Sequence, residues 1–125
     1  MSQYSRSLDQ SGVIDITTTG ATSGIERRIE INFVQIDGRH FITGKPGRKR
    51  DWLANLKANP HFTVHLKGTT PTDIPVQARL ITDLDERTDV LYKILTEAWG
   101  NEEAKTEHIL PEWVEKSPLI EFAPV

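Results

Sequence analysis

Between Glu26 and Thr43 the chain reads ERRIEINFVQI-DG-RHFIT, and this stretch constrains the fold more than any other. Ile29, Ile31 and Phe33 alternate with Arg28, Glu30 and Asn32, the period of two that belongs to a strand with one face in a core. Asp37-Gly38 is a dipeptide favoured in tight hairpins, because both residues tolerate positive φ. The stretch therefore predicts two antiparallel strands, residues 26–36 and 39–43. Similar alternation predicts strands at residues 13–18 (VIDITT), 61–66 (HFTVHL), 74–82 (IPVQARLIT) and 119–122 (LIEF). Pro75 marks an edge or a bulge in its strand.

Two helices are expected among these strands. A short one, WLANLKAN, starts at or next to Asp51 and ends before Asn59-Pro60. A longer one carries Leu84, Val90, Leu91, Ile94, Leu95, Ala98 and Trp99 on one face, with Asp83, Asp85 and Glu86 at its positive end and Gly100 as its stop. Residues 102–109 suggest a further helical piece. Trp52, Trp99 and Trp113 read first as core anchors. About six strands joined mostly by hairpins, with one short and one longer helix outside, predict a mainly β protein with α: a small antiparallel barrel. At 125 residues one domain is expected, with residues 1–12 a loose N-terminal segment.

Several function classes are excluded early. With no cysteine there are no disulfides, thiolate metal sites or cysteine nucleophiles. No apolar run reaches the ~20 residues of a membrane-spanning helix. MSQYSRSLDQSG has no signal-peptide pattern, so a cytoplasmic location without membrane association is expected. A net charge of -3 argues against nucleic acid as a partner. There is no nucleophile elbow, Walker loop or dinucleotide fingerprint. His61 and His65, four apart on a strand, are about 13 Å apart at ~3.3 Å per residue, too far to share a metal, and no metal site is expected. No catalytic side chain can be assigned. Tyr4 and Tyr92 have no assignable role.

The cations are the stronger signal. Lys45, Arg48, Lys49 and Arg50 crowd with Gly44 and Gly47 into a loop immediately before a helix. Glycine lets backbone N–H groups approach a ligand, the cations supply charge, and a helix N-terminus adds a partial positive end. Asp51 works against that end unless it serves only as the cap. GATSG (residues 20–24), followed by Arg27, forms a second candidate cradle. Each loop could equally be a solvated basic or polar turn. Convergence of the two would suit a phosphorylated cofactor.

ITTTGATSGIERR, the Asp-Gly hairpin and WLANLKANPHFTVHL together resemble the deazaflavin-dependent nitroreductase family, split β-barrels related to flavin-binding barrels. Thr18, Thr19, Gly20, Ser23 and Gly24 match its TTG-x-x-SG turn. Trp52, Asn55, Leu56, Asn59 and Pro60 match its W-x-x-N-L-x-x-NP block, the most specific part of a likeness that runs from Ile16 to the C-terminus. The resemblance implies a split barrel that binds coenzyme F420, with FMN as the alternative, and passes hydride to an electron-poor small molecule such as a quinone or nitro compound. It implies cofactor contacts at Ser23, Gly24, Arg27, Gly44, Lys45, Arg48 and Trp52. Thr22, Ile25 and the KPGRKRD loop depart from the family pattern, which moves phosphate contacts toward Lys45, Lys49 and Arg50. A homodimer is expected by analogy. Two other readings remain open: a flavin, deazaflavin or haem carrier without turnover, and an interaction domain whose basic loop meets an acidic partner.

Overall fold

The computed structural model describes residues 7–68 and 70–125. Tyr4 and the first half of the expected loose segment lie outside the described residues. Six strands, β1 (Gly12–Thr19), β2 (Glu26–Ile36), β3 (Arg39–Thr43), β4 (His61–Leu66), β5 (Thr72–Leu80) and β6 (Leu119–Pro124), close into an antiparallel barrel in the order β1-β2-β3-β6-β5-β4. The expected barrel is thus present. β5 begins two residues earlier than its alternation predicted, because Thr72 and Asp73 continue its ladder with Leu66 and His65 of β4. Pro75 sits just before β5 meets β6 at Val76, and its carbonyl accepts from the N–H of Val125. A residue without an N–H is tolerated at the point where a second ladder starts.

Among the described residues three helices pack outside, the two expected and the further helical piece made whole: α1 (Asp51–Ala58), α2 (Leu84–Lys93) and α3 (Glu103–Lys116). The helical piece expected at residues 102–109 continues through Pro111 to Lys116, since Trp113 gains a core seat there. α2 is continued by a π-turn at Ile94–Ala98, in which the N–H of Trp99 reaches the carbonyl of Ile94 at 3.0 Å. Gly100, at φ 70°, then ends the helix. The extra residue of a π-turn rotates whatever follows by about one residue's share of a turn, ~100°. Trp99, four residues after buried Leu95, would face the core on a regular helix. It is instead 43% exposed, which corrects the expectation of a core anchor.

Two cores result. Inside the barrel lie Ile14, Ile16, Phe33, Ile42, Phe122 and their neighbours, closed at one end by Trp52 and Leu56 of α1. Between the barrel wall and the other helices lie Phe41, Ile81, Leu91, Ile94, Leu95 and Trp113. β3 serves both, with Phe41 facing one core and Ile42 the other, so its pattern is apolar on both faces. Among the described residues no helix is long and apolar enough to cross a membrane.

Candidate functional site

The basic loop leaves the end of β3 and turns at Pro46-Gly47, with Gly47 at φ 83°. Proline followed by a glycine of positive φ is the pairing a type II turn requires. Lys45 and Arg48 therefore leave opposite ends of a tight corner. Arg50 folds back: its Nη1 donates to the carbonyl of Arg48 at 3.0 Å, and its guanidinium covers Gly44 so closely that a Cβ there would overlap it. Burial, then the charge of Arg48, lowers the Arg50 pKa. Arg50 is the internal brace of the loop and caps α1 with its backbone, so Asp51 is a first-turn residue and not the cap. A side chain at residue 44 would displace the Arg50 guanidinium from this seat. Trp52 is 8% exposed and seated in the barrel core.

The second cradle is anchored to the same helix. Asn55, 7% exposed, sits one turn after Trp52 and beside Leu56 on the inward face of α1. Its Oδ1 accepts from the N–H of Ala21 at 2.9 Å, and its Nδ2 donates to Thr18 Oγ1 at 3.0 Å. The GATSG turn is closed further by Gly20 N–H to the carbonyl of Ile25 and by Ile25 N–H to Ser23 Oγ. Gly24 takes φ 68°. α1 thus joins the two cradles, receiving the basic loop at its N-terminus and holding the β1–β2 turn through Asn55. Sequence reasoning recorded Asn55 only as part of a motif; its signal was an amide on the apolar side of an amphipathic helix.

Arg27 and Arg28 diverge on the pleat. Arg28 pairs across from Thr17 and donates through Nε to Asp15 at 2.9 Å. Arg27, opposite Thr18, shares the face on which Thr18 meets Asn55, and it is exposed. Among the described residues Arg27, Lys45, Arg48, Lys49, Lys57 and Lys105 make no ion pair. Four acids are paired away from the loop, Glu121 and Glu86 with Arg39 and Arg79, Asp15 and Glu30 with Lys67. Glu112 and Glu115 line the grooves beside the loop, but in each groove the cations outnumber the carboxylates, which favours an anion.

Two grooves flank the corner. One, of about 540 Å³, runs between Lys45 and Pro46 on one wall and Trp99, Lys105, Ile109 and Trp113 on the other. The other, of about 450 Å³, is lined by Arg48, Leu53, Lys57, Arg87 and Lys116. The α3 wall was not anticipated, because its residues adjoin the loop only through tertiary packing. Elsewhere on the barrel His65 is held between Thr17 Oγ1 (2.6 Å) and Asp73 Oδ1 (2.7 Å). No cluster of three or more metal-ligating side chains occurs among the described residues.

A barrel with unpaired cations around an aromatic-walled groove suits an anionic cofactor that brings its own chemistry. The chain belongs to the F420H(2)-dependent quinone reductase family, whose model matches residues 2–117. It is accordingly an F420-dependent oxidoreductase, and F420 is the cofactor of its family. Solved structures that share the fold include a conserved hypothetical protein, Rv2991, from Mycobacterium tuberculosis (TM-score 0.69, 15% identity, 92% of this chain and 72% of that one). An F420-H2 dependent reductase, FDR-A, aligns with TM-score 0.59 and 22% identity over 89% of this chain and 93% of that one. A protein described as a domain-swapped dimer aligns with TM-score 0.60 and 23% identity over 89% and 79%. At these identities the likeness establishes the barrel alone. No curated protein matches the sequence.

Proposed function

We propose that this chain reduces a quinone-type acceptor with reduced F420, in the groove between the Lys45-Pro46 corner and α3. The observation that carries the reading is the set of unpaired cations on both sides of one tight turn, beside a groove with an aromatic wall. Lys45, Arg48, Lys49 and Arg27 would hold the anionic tail, aided by the Ser23 hydroxyl and the Gly24 amide. The deazaflavin ring would lie against the Lys45-Pro46 wall. Gly44, Arg50 and Trp52 support this wall from behind, through the brace and the barrel core. When bound in its reduced form the deazaflavin supplies two electrons as hydride, and a quinone that takes up this hydride and one proton leaves as hydroquinone. Lys45 and Lys105, both unpaired, would stabilise negative charge developing on the acceptor oxygen.

The test is a parallel titration with F420 and FMN, following cofactor fluorescence. F420 binding is expected to weaken at least about tenfold in an Arg48→Glu/Lys49→Glu double variant, since each reversal replaces an attraction with a repulsion near the tail. Unchanged affinity in that variant would remove the loop from the site. Homodimer formation and a cytoplasmic location belong to the same reading. β2 pairs with β3 only at Val34–Ile36, so among the described residues the edge of residues 26–32 is open to a second copy. Light scattering on the purified chain would measure its mass, and a monomeric mass would refute the dimer.

A further inference from the structure

Trp99 is a large aromatic residue placed where hydrophobicity alone would not leave it. The π-turn at Ile94–Ala98 swings it out of the helix-side core, and Gly100 ends the helix immediately behind it. The indole does not hang free. Trp113, 8% exposed and fixed in the core, meets it edge-on with centroids 5.7 Å apart and planes at 69°. Edge-on contact of this kind favours one orientation of the indole beyond what burial does. Trp99 is thus held in place while remaining 43% exposed on the groove wall opposite Lys45 and Pro46.

We infer that Trp99 is the acceptor-stacking residue of this enzyme. The inference rests on the reading that F420 lies along the Lys45-Pro46 wall, and it assigns the opposite wall to the quinone. Three features match that occupant. An electron-rich indole face complements an electron-poor ring. Lys105 on the same wall, like Lys45 across the groove, is an unpaired cation suited to the charge that gathers on a quinone oxygen. Ile109 and Leu95 supply an apolar floor with Glu112 as the single carboxylate of the lining. Trp99 acts by positioning: it holds the acceptor flat and takes no part in bond making.

The experiment compares Trp99→Ala and Trp99→Phe with the wild type, using menadione as acceptor. Trp99→Ala is expected to raise the KM for menadione about tenfold, the value of one good stacking contact, while the Kd for F420 from anisotropy of its own fluorescence changes less than about twofold. Trp99→Phe should restore most of the loss. In cofactor-free protein menadione should quench tryptophan emission, and Trp99→Phe should lower that quenching to the part that Trp113, 5.7 Å away on the same wall, contributes. An unchanged KM in Trp99→Ala, or a Kd for F420 that rises in step with KM, overturns the assignment. A wild type that fails to bind F420 while menadione still quenches through Trp99 would overturn the cofactor reading and leave the stacking assignment standing.

Discussion

At the scale of single residues, Asn55 links sequence to site most directly. One side chain meets an N–H of the β1–β2 turn and a hydroxyl near the end of β1, in a position almost closed to water. Asn55→Ala would leave the Ala21 N–H and the Thr18 hydroxyl without partners, at a cost of roughly 1–3 kcal/mol for groups orphaned on burial. Urea denaturation should show that loss, and weaker F420 binding should accompany it because the GATSG turn is no longer anchored. Loss of stability with an unaltered cofactor Kd would separate the clamp from the site. The motif that contains Asn55 was legible in the sequence; the partners of Asn55 were not, because they come from a hairpin more than thirty positions earlier.

At the scale of elements, the helices outside the barrel are joined by Arg87 of α2. Its guanidinium donates to the carbonyls of Ile81 (2.8 Å), Val114 (2.8 Å) and Ser117 (2.6 Å), the last two at the C-terminal end of α3. A helix end leaves four carbonyls unpaired, so one cation does the work of a cap and fixes α3 against α2. Burial lowers the Arg87 pKa, but an arginine keeps its charge across the whole working range. Arg87→Met, which keeps the bulk and removes the fork, should cost about 3 kcal/mol. It should also raise the KM for the acceptor, because Lys105, Ile109 and Trp113 all ride on α3. Thermal unfolding and steady-state kinetics check the two effects separately. An unshifted melting temperature would show the carbonyls to be satisfied by water instead.

At the scale of the molecule, one charge network ties the barrel to α2. Arg39 of β3 and Arg79 of β5 both bind Glu121 of β6 and Glu86 of α2, at 2.6–3.1 Å. Hydrogen bonding from Arg39 leads in holding the Glu121 carboxyl down at about 2, against the opposing effect of burial. The unfolded chain returns that group to its ordinary value of 4.5. A depressed carboxyl contributes stability that is fully present above the unfolded value and is lost as the pH falls from there through about 2. The wild type should therefore lose stability between about pH 4.5 and 2 more steeply than Glu121→Gln, which starts lower and titrates less. Parallel slopes in acid unfolding would place the sensitivity in other groups.

What the sequence determined by itself is the barrel. Alternation at a period of two, turn dipeptides and proline positions are local signals. They set six strands and the short helix to within a few residues, and the unpaired cations of the KPGRKR loop were visible as composition. Only the tertiary structure distinguishes among those cations, since Arg50 folds over Gly44 while Lys45 and Arg48 open onto separate grooves. It decided that Trp99 faces out and Trp52 faces in, although both sit on amphipathic helices. The physical reason is the same in each case. A pattern of apolar residues specifies that a face is buried, but a single inserted residue in a helical turn, or one side chain folded over a glycine, rotates the outcome at a point. Such choices are settled by packing against segments far away in the chain.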